Sequence, residues 1–315
     1  MTARRATRAK AGDGEAEAEV PVPRERIVRL LRESAALEEL LERLTDAGRI
    51  GQARPAGDGR AAMIGAALAL EPGDLLLGSA RDLPAAVARG ASLELVLRQA
   101  FAVSGDPALG RGLPGALQDA TLGVRLGDGS AAAHLVHAAG FGHAARLRGQ
   151  PRVALALFGS AAQAHGDLHA ALGFAAVYRA QTVFVARGPI QDELWLDEIA
   201  QGWGIRAERV AGDDGGAVLQ AVARARRRAI SGEGPAVIDA RLGAPAAPRD
   251  EEAWRNQTVQ DAASVHAVAE DVRQRLGKAR AAAEAASPVA PGTLTAEVYA
   301  ERPWFLQTAE TELER

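Results

Sequence analysis

Four short runs, VALALFG (153–159), TVFVARG (182–188), IRAERVAG (205–212) and AVIDARLG (236–243), are built alike: each is short, β-rich and ends at a glycine. Between them lie stretches of about ten to fifteen residues with helical spacing, which is the pattern of strand–helix–strand units. Strands alternating with helices imply right-handed crossovers and one parallel sheet with helices on both faces. The expected fold is therefore a doubly wound α/β domain.

The chain before these runs reads differently. From Arg24 to Ala47 the residues Ile27, Leu30, Leu31, Leu37, Leu40, Leu41 and Leu44 recur at three and four, which puts them on one face of a helix. Ala61 to Leu70 and Leu93 to Ala102 are also helical in pattern. Residues 1–24 lack large apolar side chains apart from two valines and cannot offset their own ordering entropy, so a disordered tail is expected there. Residues 25–248 then form the α/β domain. Residues 249–315 supply a polar helix from about Ala262 to Ala286 and an arm carrying Tyr299, Trp304 and Phe305, expected to dock on the body or on another subunit. Arg224, Arg226, Arg227 and Arg228 close a helix, where cations suit the dipole, and are expected to be solvated.

Charge and composition narrow the partners. The 37 basic and 40 acidic residues leave a formal net charge of -3, which disfavours nucleic acid and anionic membranes. The absence of cysteine excludes disulfides, thiolate metal sites and a cysteine nucleophile. No run is long and apolar enough for a membrane span, and the first residues lack a secretory signal core. The cytoplasm is the expected location.

In open α/β sheets ligands sit at the carboxyl ends of the strands, where helix N-termini favour phosphates. Gly159 and Gly188 mark two such ends. The stretches AGRIG (47–51), MIGAALALEPGDLLLGSARDLPAAVARGASLELVLRQAF (63–101), LGRG (109–112), LRGQPRVALALFG (147–159), GDLHAALGFAA (166–176), VFVARG (183–188) and ASPVAPGTLTAEVYAE (286–301) follow a familiar order. Together they resemble the alpha subunit of the thiamine-dependent decarboxylating component of 2-oxo acid dehydrogenases, of the pyruvate, branched-chain and acetoin type. The resemblance implies the thiamine diphosphate-binding fold, with thiamine diphosphate and magnesium as cofactors. It also implies an alpha-two beta-two assembly with a beta subunit that supplies the carboxylate activating the thiamine ring. The reaction implied is decarboxylation of a 2-oxo acid and acyl transfer to lipoamide, with a lipoyl acyltransferase core as a further partner.

Several positions depart from the family's pattern. Gly-Asp-Gly at the first strand end and Asn-Asn at the second hold the magnesium ion in the family; here Gly159-Ser160-Ala161 and Gly188-Pro189 stand there. Magnesium is commonly held by one or two carboxylates besides phosphates and waters, and Ser160 carries no charge. The only asparagine in the chain is Asn256, so no shift of register restores the pair. Tyr-Arg-Asp-His is replaced by Ala80-Arg81-Asp82-Leu83, keeping Arg81 as the phosphate ligand, and the segment 242–252 lacks the family's loop histidine. Arg111, beside Gly112, matches a loop near the site. The three Gly-Asp-Gly triplets at 12–14, 57–59 and 127–129 all read as turns; Asp128, in the last, also falls in a segment that aligns with the family's diphosphate-proximal loop.

The candidate cofactor-binding set is Arg81, Arg111, Asp128, Gly159, Ser160 and Gly188, with no catalytic and no metal-ligating residue among them. Ser160 also reads as a helix N-cap. His165 and His169, four apart, have a zinc-like spacing but read as structural, as do His134, His137 and His143 in a small-residue helix suited to close packing. Three readings stay open: a divergent alpha-like subunit impaired in cofactor binding and serving a structural or regulatory role, an active oxidoreductase subunit with unusual ligation through Asp128 and Arg81, and a metal-free binding module for a phosphorylated metabolite.

Overall fold

The computed structural model describes residues 19–127, 129–189, 196–243, 262–296 and 299–313. Most of the expected tail, Asp128, Asn256 and positions 244–252 of the expected catalytic loop lie outside them. Helix α1 (Arg24–Asp46) comes first, followed by α2 (Arg60–Leu68) and strand β1 (Leu75–Ser79). Next are α3 (Leu83–Ala88), α4 (Leu93–Phe101), β2 (Gln118–Asp119), β3 (Val124–Gly127) and α5 (Ala133–Leu147). The repeating part runs β4 (Ala154–Gly159), α6 (Gly166–Val177), β5 (Thr182–Pro189), α7 (Leu196–Gly202), β6 (Arg206–Ala211), α8 (Gly215–Ile230) and β7 (Ala236–Leu242). The chain closes with α9 (Ala262–Glu284), α10 (Thr293–Ala296) and α11 (Trp304–Leu313).

Among the described residues the sheet has seven strands in the order β2-β3-β1-β4-β5-β7-β6. Every pairing is parallel except that of β2 with β3. The expected parallel sheet is thus present, with an antiparallel edge and three strands, β1 to β3, that the sequence pattern did not mark. Chain order reverses between β1 and β4, which opens a crevice at their carboxyl ends.

Alternation along the strands builds two cores. Leu155, Leu157, Val183, Val185, Ile238 and Ala240 face one side, under α1, α2, α3, α4 and α8. Ala154, Ala156, Phe158, Phe184, Ala186 and Val237 face the other, under α5, α6 and α7. The second core is rich in alanine, so its helices lie close to the sheet. A Cβ added at Gly142 of α5 would stand 2.3 Å from the Thr182 hydroxyl and 2.6 Å from the Gln181 carbonyl. On the first side α2 and α8 meet backbone to backbone, and a Cβ at Gly65 would lie 2.1 Å from the Gly215 carbonyl oxygen. Helix α9 lies outside as expected but seats Val272, Leu276, Ala279 and Ala283 against the body.

The amino end of the sheet is closed by a buried ion pair. Asp74, one residue before β1, accepts from Arg226 Nε at 2.6 Å and Nη2 at 3.3 Å, from Val153 N at 2.9 Å and from Glu71 N at 2.8 Å. Arg226 also meets Glu71 at 2.8 Å and the Pro151 carbonyl at 3.4 Å. Arg89 caps the carbonyls of Leu70, Glu71 and Leu122, and burial lowers its pKa. Arg226 is therefore no solvated end of α8; a helix terminus that packs on the sheet brings its arginine to a carboxylate that needs one. Its neighbour Arg224 pairs with Glu208.

Asp74→Ala is expected to cost about 3–5 kcal/mol, because it leaves a guanidinium buried without its charge partner. Glu39→Ala, which breaks the exposed Arg43–Glu39 pair at 3.2 Å, should cost less than about 1 kcal/mol. Urea midpoints of both variants check this; equal losses would refute the assignment.

Candidate functional site

At the carboxyl end of β1 the chain turns through Ala80–Asp82 in a single 3-10 turn. Asp82 folds back on the strand: its Oδ2 accepts from Ser79 N at 2.8 Å and from Ser79 Oγ at 2.9 Å, and Ser79 Oγ accepts from Arg81 N at 3.3 Å. Gly78 makes this possible, since a Cβ there would fall 2.8 Å from Asp82 Oδ2. The other carboxylate oxygen, Oδ1, accepts from Arg187 Nη2. Arg187 is the residue before Gly188 on β5 and sits in register with Gly159 on β4. The pair is sheltered, with side-chain exposures of 9% for Arg187 and 1% for Asp82. One further donor of that arginine, Nε, is buried without a partner.

Two more groups close around the pair. Gly59, the residue before α2, has a left-handed backbone (φ 93°) and would carry a Cβ 3.6 Å from Arg187 Cδ. His134, on the first turn of α5, lies 2.7 Å through Nε2 from the Leu157 carbonyl. Burial holds its pKa below the ordinary histidine value; the bond to Leu157 and the charge of Asp82 oppose that shift, while His137 and Arg187 add to it. A neutral ring facing a carbonyl must present Nε2–H as donor.

The structure brings some of the expected residues together. Gly159 and Gly188 mark adjacent strand ends, and Ser160 opens the 3-10 turn Ser160–Ala164. Ser160 does not act as an N-cap: the residue preceding the turn is Gly159, with no side-chain cap bond, and the cap position of α6 is His165. A serine inside the turn instead of before it has its hydroxyl in the wrong place to receive the first free N–H groups. Arg81 is exposed on the turn after β1, with Nη1 3.4 Å from the Pro55 carbonyl. Arg111 is turned away, its guanidinium donating to the Thr293 carbonyl of the C-terminal segment. Its loop nevertheless packs on the same turn: Gly115 would place a Cβ 2.8 Å from the Ala80 carbonyl, and Gln99 ties the loop through Gly115 N at 3.0 Å and the Leu113 carbonyl at 2.7 Å. Asp128 lies outside the described residues.

Asp82, Arg187 and His134 were not singled out as the heart of the site. The signal for Arg187 was a charged residue inside an apolar strand run, which demands a partner if buried. At these strand ends no magnesium cradle is formed among the described residues: Ser160, Gly188 and Pro189 offer no carboxylate, and Asp82 is engaged by Ser79 and Arg187. Among the described residues no group of three or more His, Asp or Glu is placed to hold a metal ion. His165 and His169 are exposed on α6.

A second surface lies on the far side of the α5–α6 layer. Leu147 is 72% exposed and Val177 74%, with Phe174, Tyr178 and Trp203 also exposed. The rings of His143, Phe174 and Tyr178 cluster at 4.6–5.4 Å. In the expected docking arm Trp304 is exposed as well, packed edge-on against Phe305.

Comparison with known proteins supplies the family. The model described as "Dehydrogenase E1 component" matches residues 29–284. The alpha subunit of mouse mitochondrial 2-oxoisovalerate dehydrogenase is 31% identical over 209 residues, 61% of this chain and 47% of the relative. The pyruvate dehydrogenase E1 component alpha subunits of Staphylococcus aureus strain Mu50 and Bacillus subtilis strain 168 are each 31% identical over 202 residues, 61% of this chain and 52% of the relative. The chain spans about half the length of these curated relatives.

Acidification is expected to weaken the fold through His134. Below the ordinary histidine value of about 6.5 the unfolded chain takes up a proton that the folded site resists, so stability falls as pH drops from there toward the lowered folded value. His134→Gln should make the urea midpoint less pH-dependent between about pH 5 and 7. An unchanged slope would rule out His134 as the responsible group.

Proposed function

The chain belongs to the dehydrogenase E1 component family, and from that membership we propose that it is an alpha-type subunit whose own strand ends do not hold magnesium thiamine diphosphate and which serves a structural or regulatory role. The observation that carries this reading is the Asp82–Arg187 pair. Where a magnesium ion would need carboxylate oxygens, Asp82, the carboxylate at the end of β1, is spent on a buried guanidinium and a serine. A dehydration-resistant dication gains nothing from Ser160, Gly188 or Pro189 to replace its water.

The rest of the fold supports a role through contacts. The apolar patch of Leu147, Phe174, Val177, Tyr178 and Trp203 is larger in character than a lone surface residue. Its chemistry suits burial against another protein, and a beta-type subunit is the partner that this reading assigns. In an assembly of that kind the chemistry of decarboxylation and acyl transfer to a lipoyl-bearing core would be carried by cofactor and carboxylates that lie elsewhere in the complex.

Two measurements test the proposal. Isothermal calorimetry of thiamine diphosphate into the full chain, with and without magnesium, should show no magnesium-dependent heat; a magnesium-dependent isotherm would overturn it in favour of an active subunit. Phe174→Glu and Val177→Glu, both at exposed positions, should leave the melting temperature within a few degrees while abolishing co-elution with a co-expressed beta-type subunit. Unchanged co-elution would remove the α5–α6 face from the interface.

A further inference from the structure

We propose that Arg187 takes the place of a divalent cation in the crevice, so that the ends of β1, β4 and β5 accept a phosphate-bearing anion with no metal present. The inference rests on the reading above, that magnesium is not held here, and names the ligand class of the same site.

Position is the first ground. Arg187 lies at the two strand ends, in register with the exposed Gly159 and one residue before Gly188, so no side chain from either glycine stands beside it. Chemistry is the second. A guanidinium needs no octahedral ligand set and no stripping of tightly held water, and its planar fork matches two oxygens of a phosphate at once. The third ground is the inventory of its donors. Of five N–H groups, one on Nη2 is taken by Asp82 Oδ1, while Nε is buried with no partner although the side chain is only 9% exposed. A buried donor left unmatched is unfavourable unless something arrives to match it.

The surroundings bear on the same point. Asp82 is the counter-charge, and with Oδ2 held by Ser79 it fixes the guanidinium's place without consuming its remaining donors. The first turn of α2 starts beside the Arg187 side chain at Gly59 and contributes the positive end of a nine-residue helix. Arg81, exposed on the adjacent turn, adds a second guanidinium at the rim. His134 directs its Nε2 away from the pair, at the Leu157 carbonyl.

The test is calorimetry of inorganic pyrophosphate and of thiamine diphosphate into the full chain, first in EDTA and then in excess magnesium. Binding in EDTA is expected, with an affinity that magnesium does not raise. Arg187→Met should weaken it by about tenfold or more, the size of one lost charge-assisted hydrogen bond, with the thermal melt retained. If that variant unfolds because Asp82 is stranded, Arg187→Met combined with Asp82→Asn removes the buried charge, and the same loss is expected from the double variant. Heat only in magnesium would overturn both this inference and the proposed function. No heat in any condition would overturn the inference alone and leave a subunit kept for its contacts. Wild-type affinity in whichever variant folds would show that Arg187 does not hold the anion.

Discussion

The buried Asp74–Arg226 pair is the contact on which the rest of the architecture depends. Its carboxylate joins the start of β1 to the start of β4 through Val153 N, and its guanidinium brings in α8 and the Pro151 carbonyl. Those two strands flank the point where chain order reverses. Fixing their amino ends side by side in a parallel sheet also fixes where their carboxyl ends emerge, and so the width of the crevice. Desolvating two charges is unfavourable by itself, and the pair is tolerable because every oxygen of Asp74 is matched.

Strand β1 carries a second pair of the same kind at its other end, and the contrast is instructive. Asp74 accepts from four N–H groups on three segments, whereas Asp82 is matched only by its own turn and by Arg187. The first arrangement has nothing left to offer a ligand. The second leaves a guanidinium donor unmatched at the place where α/β sheets bind their ligands. The same two residue types, at opposite ends of one five-residue strand, thereby act as a clamp in one place and as the floor of a crevice in the other.

How much of this was legible in the sequence follows from range. Strands β4 to β7 were readable because each is a short β-rich run ending near glycine, and α1 because its leucines repeat at three and four. Strands β1 to β3 were not: β1 is only Leu75–Ser79, and β2 has two residues that exist as a strand solely through pairing with β3. Arg226 looked like one of a solvated arginine group because nothing within its helix says that α8 ends against Asp74, 152 residues away. Asp82 and Arg187 are 105 residues apart, so their partnership exists only once β1, β4 and β5 are assembled. The loss of carboxylate and asparagine at Ser160 and Gly188-Pro189 was visible locally; what replaced them was not.

The glycine contact between α2 and α8 has a mechanical consequence. Soft side chains normally cushion two helices against each other, but at Gly65 and Gly215 there is no cushion, only main chain against main chain. Any shift of α8 is therefore passed to α2 without being absorbed, and the residue that precedes α2, Gly59, six before Gly65, lies beside Leu242 and Arg187. The crevice is geared to the helix that also carries Arg226, so the two ends of the sheet move as parts of one stiff linkage.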